Sequence, residues 1–433
     1  MLFKIKILIE ILKVIFSPKF RSREALRYFQ QKKIKAHLKF IKENAPFYEN
    51  LEFEKLEDLP IIDKEVMMSN FDKLNTAGIK KEEAINLAVK AEKTRDFAPQ
   101  INGITIGLSS GTSGNKSIFL ASEKDRLRYI AAIFKKVLFP IKHFNTKVAL
   151  FFRANSNLYE SVGSMIIKFK YFDLTRDLNL QIDELNSFNP HILVAPPTLL
   201  NILATYQKEG KIDINPDKII SVAEVLEDDI KNNIENAFSV IVHQLYQCTE
   251  GFLASTCKYG KLHLHEDYIY FEKKWLDGDK KRFHPIITDF SRTTQAMIRY
   301  ELNDILHIGE KCKCGSVFTT IDKIEGRSDD IFKFYDDTKK EILVFPDEIR
   351  NTIIISSGEI SDYKVVQHTP EKISVMLKVN TTPDINPDEE ISKVQNALIR
   401  LFESKGIQKP EIQFHNWENP QLDMKFRRIM RVN

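Results

Sequence analysis

Four cysteines in 433 residues are too few to staple a chain of this length, and their scarcity points to a reducing compartment. Long apolar runs are missing too. The stretch from Ile5 to Phe16 is broken by Lys6, Glu10 and Lys13, so no transmembrane span is expected. The start, Met1-Leu2-Phe3-Lys4-Ile5-Lys6, is basic and apolar but has no small-residue cleavage site after it. A signal peptide is therefore not expected, and the reading is cytoplasmic. Net charge is also small: 64 basic side chains are nearly matched by 60 acidic ones, leaving +4. Charges interspersed in this way describe a solvated surface, and no nucleic-acid partner is expected. There is no internal repeat and no low-complexity tract.

What is present is the composition of a globular protein, 43% apolar and 10% aromatic, in a chain long enough for two or three domains. Residues 1–45 are helical in pattern and rich in Lys and Arg. Within them Phe3 to Phe16 reads as an amphipathic helix packed on its own domain, so membrane contact is not expected, with docking on a membrane surface or a partner as the alternative. Strand-like runs at Ile104 to Leu108, Lys147 to Phe152, Ile192 to Ala195, Lys218 to Val222 and Val240 to Tyr246 alternate with helical ones at Lys80 to Lys93, Ser122 to Phe139, Leu199 to Lys208 and Asp228 to Phe238. That alternation predicts an α/β fold with a parallel sheet flanked by helices. A β-rich part follows over about 268–325, with strands at Tyr268 to Glu272, Pro285 to Asp289 and Ala296 to Tyr300. The last hundred residues have an α+β pattern: strands at Glu341 to Phe345, Tyr363 to Gln367, Lys372 to Val379 and Glu411 to His415, and a helix from Asp388 to Ser404. The expected division is a large domain over 1–328 and a small mobile α+β domain over 329–433, with the break near Gly326-Arg327-Ser328-Asp329-Asp330.

The run Ser109-Ser110-Gly111-Thr112-Ser113-Gly114-Asn115-Lys116 follows the strand at 104–108, and the pattern reads strand, loop, helix. Glycines let backbone N–H groups turn toward an anion, hydroxyls add donors, and Lys116 adds a point charge, which together describe a polyphosphate cradle. The loop lacks the Gly-Lys pair of a Walker motif. A polar turn between two elements is the plainer alternative. Further on, Tyr246-Gln247-Cys248-Thr249-Glu250-Gly251 follows an expected strand, where open α/β sheets place their ligands. A carboxylate beside phosphates requires a cation between them, so Glu250 is a candidate Mg²⁺ ligand, with a plain surface carboxylate as the alternative.

These residues resemble the adenylate-forming superfamily that includes acyl-CoA synthetases, and within it the phenylacetate–CoA ligase branch and its relatives of capsule biosynthesis. The resemblance extends from Pro46-Phe47-Tyr48 and Leu59-Pro60-Ile61-Ile62-Asp63-Lys64 to the C-terminus. It implies ATP and Mg²⁺ as cofactors and a grip on the leaving pyrophosphate by Ser109 to Gly114 with Lys116. Adenine and metal contacts are implied for Tyr246, Thr249 and Glu250, and a place lining the acyl and adenine region for Glu224. Ile298-Arg299-Tyr300-Glu301-Leu302-Asn303-Asp304 resembles the turn whose aspartate holds the ribose diol, here Asp304, with Arg327 behind it and Asp329 at the hinge. Asn303 stands where the family has glycine, and asparagine tolerates a left-handed backbone. Asp423-Met424-Lys425-Phe426-Arg427-Arg428 resembles the terminal catalytic-lysine segment, which assigns to Lys425 the neutralisation of charge between carboxylate and α-phosphate. A basic tail is the alternative.

Cys312-Lys313-Cys314-Gly315 is a knuckle-like pair, and Cys257 and His263 are two more soft ligands. Members of the phenylacetate–CoA ligase branch carry zinc at matching positions, which implies a closed structural Zn²⁺ site of Cys257, His263, Cys312 and Cys314. His265 is an alternative to His263, because alternation along a strand puts both on one face. Four reduced thiols without a metal are the competing reading. The function implied is ATP-dependent activation of a small carboxylic acid to acyl-AMP, then transfer to the thiol of coenzyme A or an acyl-carrier protein. A zinc-knuckle interaction protein with a vestigial nucleotide site is the alternative from another class.

Overall fold

The structure is a computed structural model that describes residues 2–17, 19–108, 117–153, 167–380, 385–422 and 424–432. The chain forms two compact units, one of Met1–Leu302 with His307–Lys323, the other of Asn303–Leu306 with Ile324–Asn433. Among the described residues no helix is long and apolar enough to cross a membrane.

In the first unit, helices at Leu2–Ile15 and Arg23–Asn44 match the helical pattern of the opening residues. Ser22 caps the second by accepting from the Ala25 N–H at 3.2 Å. A three-stranded antiparallel sheet then follows: β1 (Gln100–Ile101), β2 (Ile104–Leu108) and β3 (Ile118–Ala121). Its apolar face, Ile106, Ile118 and Leu120, packs with Phe71, Ala84 and Ala88 of two neighbouring helices. The loop after β2 therefore does not lead directly into a helix, as the sequence pattern suggests. Ile118 and Leu120 alternate as buried residues with period two, and that face fixes β3 before the helix Glu123–Ile133 begins at the Ser122 cap. That helix continues as one wide π turn over Phe134–Leu138.

Five parallel strands make the first half of the main sheet: β4 (Thr146–Phe152), β5 (Ile167–Asp173), β6 (Ile192–Ala195), β7 (Lys218–Ser221) and β8 (Val242–Cys248), in spatial order β5-β4-β6-β7-β8. Helices Asn179–Phe188, Pro197–Lys208 and Asp228–Phe238 return the chain between them. β6 is buried along its whole length, as a strand covered on both faces should be. The second half is antiparallel. It comprises β9 (Gly251–Thr256), β10 (Leu262–Leu264), β11 (Ile269–Trp275), β12 (Arg282–Asp289), β13 (Tyr300–Glu301), β14 (Asp304–Ile308) and β15 (Thr320–Arg327). β9 pairs with β8, β10 lies between β9 and β15, and β11 and β13 flank β12. The expected strand over Ala296 to Tyr300 shrinks to Tyr300–Glu301. Ala296, Met297 and Ile298 are buried by packing rather than by a ladder, and Arg299 has φ 46°, which interrupts extended backbone.

The second unit is the expected α+β arrangement. β16 (Phe332–Tyr335) and β17 (Glu341–Val344) form a ribbon, and β18 (Ile360–Thr369), β19 (Lys372–Val379), β20 (Glu411–His415) and β21 (Ile429–Arg431) a sheet ordered β20-β19-β18-β21. Helices Pro346–Ser356 and Pro387–Ser404 share its core with Phe332, Phe334, Val365, Val375 and Phe402.

His37 is a liability in the first unit. It is buried on the inner face of the helix Arg23–Asn44, and its Nε2 has no hydrogen-bond partner among the described residues. Burial, reinforced by Arg128, lowers its pKa to about 4, and burial beside Lys218 and Lys231 does the same to His243. An unfolded histidine titrates near 6.5, so between pH 6.5 and 4 the unfolded chain takes up protons that these folded sites refuse. Stability is thus complete above pH 6.5 and falls below it, by up to ~1.4 kcal/mol per pH unit for each histidine. Thermal melts should show a lower Tm at pH 5 than at pH 7, and His37→Leu should narrow that gap. An unchanged gap would refute the assignment.

Candidate active site and metal-ligating cluster

The sheet changes from parallel to antiparallel between β8 and β9, and the connection is two residues long, Thr249 and Glu250, with Cys248 opposite Gly251. The Glu250 carboxylate accepts from the Thr249 hydroxyl at 2.8 Å and from the Tyr300 hydroxyl at 3.3 Å. Burial foremost, then the neighbouring Glu250 charge, raises the Tyr300 pKa, so the phenol keeps the proton it donates. Before the turn, the ladder shifts register between Tyr246 and Gln247, and Gln247 accepts from the Tyr129 hydroxyl at 2.9 Å. Tyr246 itself is buried, opposite Ala254.

Arg292 ties this turn to the strand that leaves the Ser/Gly-rich loop. It donates to the Thr249 carbonyl at 2.6 Å, to the Leu120 carbonyl at 3.1 Å and to Gln295 Oε1 at 3.2 Å. Gln295 in turn accepts from Leu120 N and donates to the Ile118 carbonyl. The arginine is aimed by Asp289, whose Oδ1 accepts from Ser291 N, Ser291 Oγ and Arg292 N. The loop residues Ser109, Ser110, Gly111, Thr112, Ser113, Gly114 and Lys116 lie outside the described residues. Their flanks are fixed all the same: Leu108 pairs with Ile118 and Gly107 with Phe119. A Cβ on Gly107 would come within 2.2 Å of the Phe119 ring, so any larger residue there would have to displace that ring.

Glu224 follows β7, one strand over from the turn. It accepts from the Thr198 hydroxyl at 2.6 Å and from the Thr198 N–H at 3.3 Å, at the first turn of the helix Pro197–Lys208 that leaves β6. Ala223 before it has φ 72°, which turns the chain off the strand end. Thr198, Glu224 and Glu250 thus stand beyond the carboxyl ends of three adjacent strands, the usual ligand position of an open α/β sheet.

Asp304, Arg327, Asp329 and Lys425 all belong to the second unit. The Ser328 N–H donates to the Asn303 carbonyl at 3.0 Å, which sets the runs holding Asp304 and Arg327 side by side. Arg327 and Asp329 approach to 3.8 Å. The left-handed residue near the first run is Arg299 rather than Asn303; its guanidinium is held by Glu272 and by the Glu57 and Leu59 carbonyls. In the terminal basic cluster Arg427 pairs with Asp330 and Arg428 with Asp362 on β18. Lys425 is exposed in the segment before β21 and has no ion pair among the described residues.

Cys257, His263, Cys312 and Cys314 converge in the first unit, with all four ligand atoms within 4.8 Å of one another. The Cys257 and Cys312 sulfurs are 3.7 Å apart, and Cys314 Sγ is 3.4 Å from His263 Nε2. Those spacings are what ~2.3 Å metal–sulfur and ~2.0 Å metal–nitrogen bonds at tetrahedral angles produce. Two tight turns present the sulfurs. Tyr259 N points at Cys257 Sγ, and Cys314 N and Ser316 N point at Cys312 and Cys314 Sγ, while Gly260 and Gly315 take the left-handed conformation that closes each turn. The far nitrogen of His263 faces the Phe318 carbonyl at 3.4 Å, an orienting contact common behind metal-bound histidines. Burial foremost, and then the neighbouring Cys312 and Cys257 sulfurs, push Cys314 up to about 11. His265 is not the fourth ligand. β10 ends at Leu264, and His265 is buried with one nitrogen on Ser255 Oγ and the other on the Phe252 carbonyl.

No protein-family model matches the chain. Among curated proteins it is 24% identical over 392 residues to Protein CapK of Staphylococcus aureus, covering 82% of this chain and 79% of that one. Among solved structures it superposes on a 2-hydroxyisobutyryl-CoA ligase in the postadenylation state, bound to R3-HIB-AMP, with a TM-score of 0.68, 16% identity, and coverage of 95% and 90% of the two chains. An acyl acid amido synthetase matches with a TM-score of 0.57 at 13% identity, over 92% and 90%. The fold is that of the adenylate-forming ligases. Within the adenylate-forming fold, the Thr249–Glu250 turn is legible from sequence. Arg292 carries no motif and is visible only through the three segments it joins.

Two outcomes follow. Arg292→Ala leaves the Thr249 and Leu120 carbonyls without their shared donor and should cost about 2–3 kcal/mol, read as a lower denaturation midpoint; an unchanged midpoint would show that the clamp carries no stability. The purified protein should contain about one borderline-soft metal ion per chain by elemental analysis. Cys312→Ser with Cys314→Ser should abolish it and lower Tm by about 5 °C or more, whereas metal-free protein with unaltered melting would exclude a structural ion.

Proposed function

We propose that this protein activates a small carboxylic acid with ATP, forming acyl-AMP and pyrophosphate, and then passes the acyl group to a thiol. The observation that carries the reading is the pairing of this fold with Glu250 and Glu224 beyond adjacent strand ends, tied through Arg292 to the flank of the Ser109–Lys116 loop. The solved 2-hydroxyisobutyryl-CoA ligase of the same fold holds an acyl-AMP and, in another state, an acyl-AMP with CoA.

In this proposal the hydroxyls of Ser109, Ser110, Thr112 and Ser113, the backbone at Gly111 and Gly114, and the Lys116 ammonium grip the leaving pyrophosphate. Glu250 would hold Mg²⁺. Its half-buried carboxylate carries single hydroxyl donors from Thr249 and Tyr300, and such oxygen neighbours fit a hard cation. When bound, the cation neutralises polyphosphate charge. Tyr246 and Thr249 adjoin the adenine, and Asp304 accepts from the two ribose hydroxyls with Arg327 behind it. The acid's carboxylate oxygen attacks the α-phosphorus, and the pyrophosphate oxygen leaves. Lys425 places its ammonium against the charge that builds between the two groups. Support for Lys425 rather than its neighbours comes from Arg427 and Arg428, which are committed to Asp330 and Asp362. Residues 329–433 act as a lid turning about Asp329, withdrawing Lys425 so that the acceptor thiol enters. The acceptor is coenzyme A or a carrier-protein thiol, in the manner of a phenylacetate–CoA ligase, and the Cys257-His263-Cys312-Cys314 cluster holds a structural Zn²⁺.

Pyrophosphate release from ATP, Mg²⁺ and a panel of carboxylic acids tests the first half-reaction, and coenzyme A or an amine added afterwards tests the second. Lys425→Ala should lower kcat for adenylation about 100-fold or more with ATP binding retained; full activity in that variant would sink its role. Silence of the wild-type protein with every acid would favour the interaction-protein reading instead.

A further inference from the structure

The helix Leu2–Ile15 has two apolar faces, and only one is used inside the protein. Ile7 and Ile11, with Val14 and Ile15 partly covered, pack against Leu127, Ile130 and Ala131 of the helix Glu123–Ile133. Lys6 pairs with Glu123 at one end, and at the other the Lys135 ammonium donates to the Val14 carbonyl and Ser17 Oγ, both at 2.6 Å. The helix is therefore clamped in one rotation, and a second set of apolar side chains points outward. Ile5, Leu8, Ile9 and Leu12 are 45–57% exposed and Phe16 is 82% exposed. At about 100° per residue these five fall within a sector of roughly 100°, opposite the packed face, with Lys6, Glu10 and Lys13 along one border.

The stretch of chain that contains it is strongly basic. Residues 1–45 contain twelve Lys and Arg against three Glu, a local charge of +9, while the other 388 residues, with 52 basic and 57 acidic side chains, carry −5. Lys13, Lys19, Arg21, Arg27, Lys32 and Lys33 are exposed. We infer that this face docks on an anionic membrane surface, the stripe entering the headgroup–acyl boundary and the basic side chains meeting lipid phosphates. The stripe is aliphatic with a single phenylalanine, and although Lys13 on its border pairs with Glu10, the exposed Lys and Arg of residues 19–33 add a net positive charge, a composition that suits an interfacial helix. A protein partner would have to supply a complementary acidic groove for the same face. Spanning is excluded by length, since 14 residues of helix measure about 21 Å against ~30 Å of hydrocarbon. Sequence alone favours packing of this helix on its own domain and leaves membrane contact as the alternative. The clamps at Lys6 and Lys135 do dock it there, and they also fix the second face in solvent.

Sedimentation of the full-length protein with vesicles rich in phosphatidylglycerol, compared with pure phosphatidylcholine, tests the inference. Binding is expected to the first, weakly or not at all to the second, and to fall as salt rises. The triple variant Leu8→Ser, Leu12→Ser, Phe16→Ser changes exposed positions only and should keep its melting temperature while losing about tenfold or more in lipid partition. Failure of the wild type to pellet with anionic vesicles, or equal binding by the variant, would overturn the proposal. So would light scattering that shows a wild-type dimer made monomeric by the same substitutions without any lipid binding. That last outcome would make the face an interface between copies.

Discussion

A single guanidinium holds the candidate site in shape. Arg292 reaches the carbonyl at the parallel-to-antiparallel turn, the carbonyl of the strand that leaves the Ser/Gly-rich loop, and the amide of Gln295 that pins the same strand. A charged donor shared among three acceptors in a partly buried place gains more per bond than neutral pairs do. It also makes the position of Glu250 depend on the position of β3. Asp289 stands behind the arginine, buried and raised in pKa by that burial despite its Ser291 and Arg292 partners, and shapes the bend that aims it. Two parts of the site that are far apart in sequence thereby share one register.

The change of sheet direction explains why so short a connection can carry function. Parallel strands need long crossovers, so helices separate β5, β6, β7 and β8, whereas β8 and β9 can meet through Thr249 and Glu250 alone. A two-residue turn leaves its side chains little freedom. Glu250 is narrowed further by hydroxyls on either side of its carboxylate. The Cys257-His263-Cys312-Cys314 cluster applies the same economy, with two tight turns and one histidine on β10 bringing four candidate ligand atoms within 4.8 Å.

Much of this architecture could be read from the residues. The buried strands at 146–152, 192–195 and 218–221 are short apolar runs, and their length and β-branched or aromatic content mark them as strands. The Cys257-His263-Cys312-Cys314 set also converges in space, although spacing left His265 open until the end of β10 separated the two histidines. The helix Pro346–Ser356 was hidden because Ile353, Ile354 and Ile355 have strand-like propensity. What makes it a helix is its first turn, where Pro346 stands at the start and Glu348 reaches back to the Phe345 N–H. β3 was hidden by its length, four residues after a polar loop, and Arg292 by the absence of any local pattern. Such features belong to tertiary packing, and a residue whose partners lie 43 and 172 positions away leaves no trace in its neighbours.

The bond between Glu224 and Thr198 decides where negative charge can be received. Helix N-termini are ready anion sites, because their first N–H groups lack internal partners and the helix dipole is positive there. The helix after β6 begins beside the candidate site, yet its opening N–H and hydroxyl already face the protein's own carboxylate. An incoming phosphate or carboxylate would meet Glu224 rather than bare amides at that helix end. At this one helix end the carboxylate therefore favours donors, such as hydroxyls or ring amines, over oxyanions.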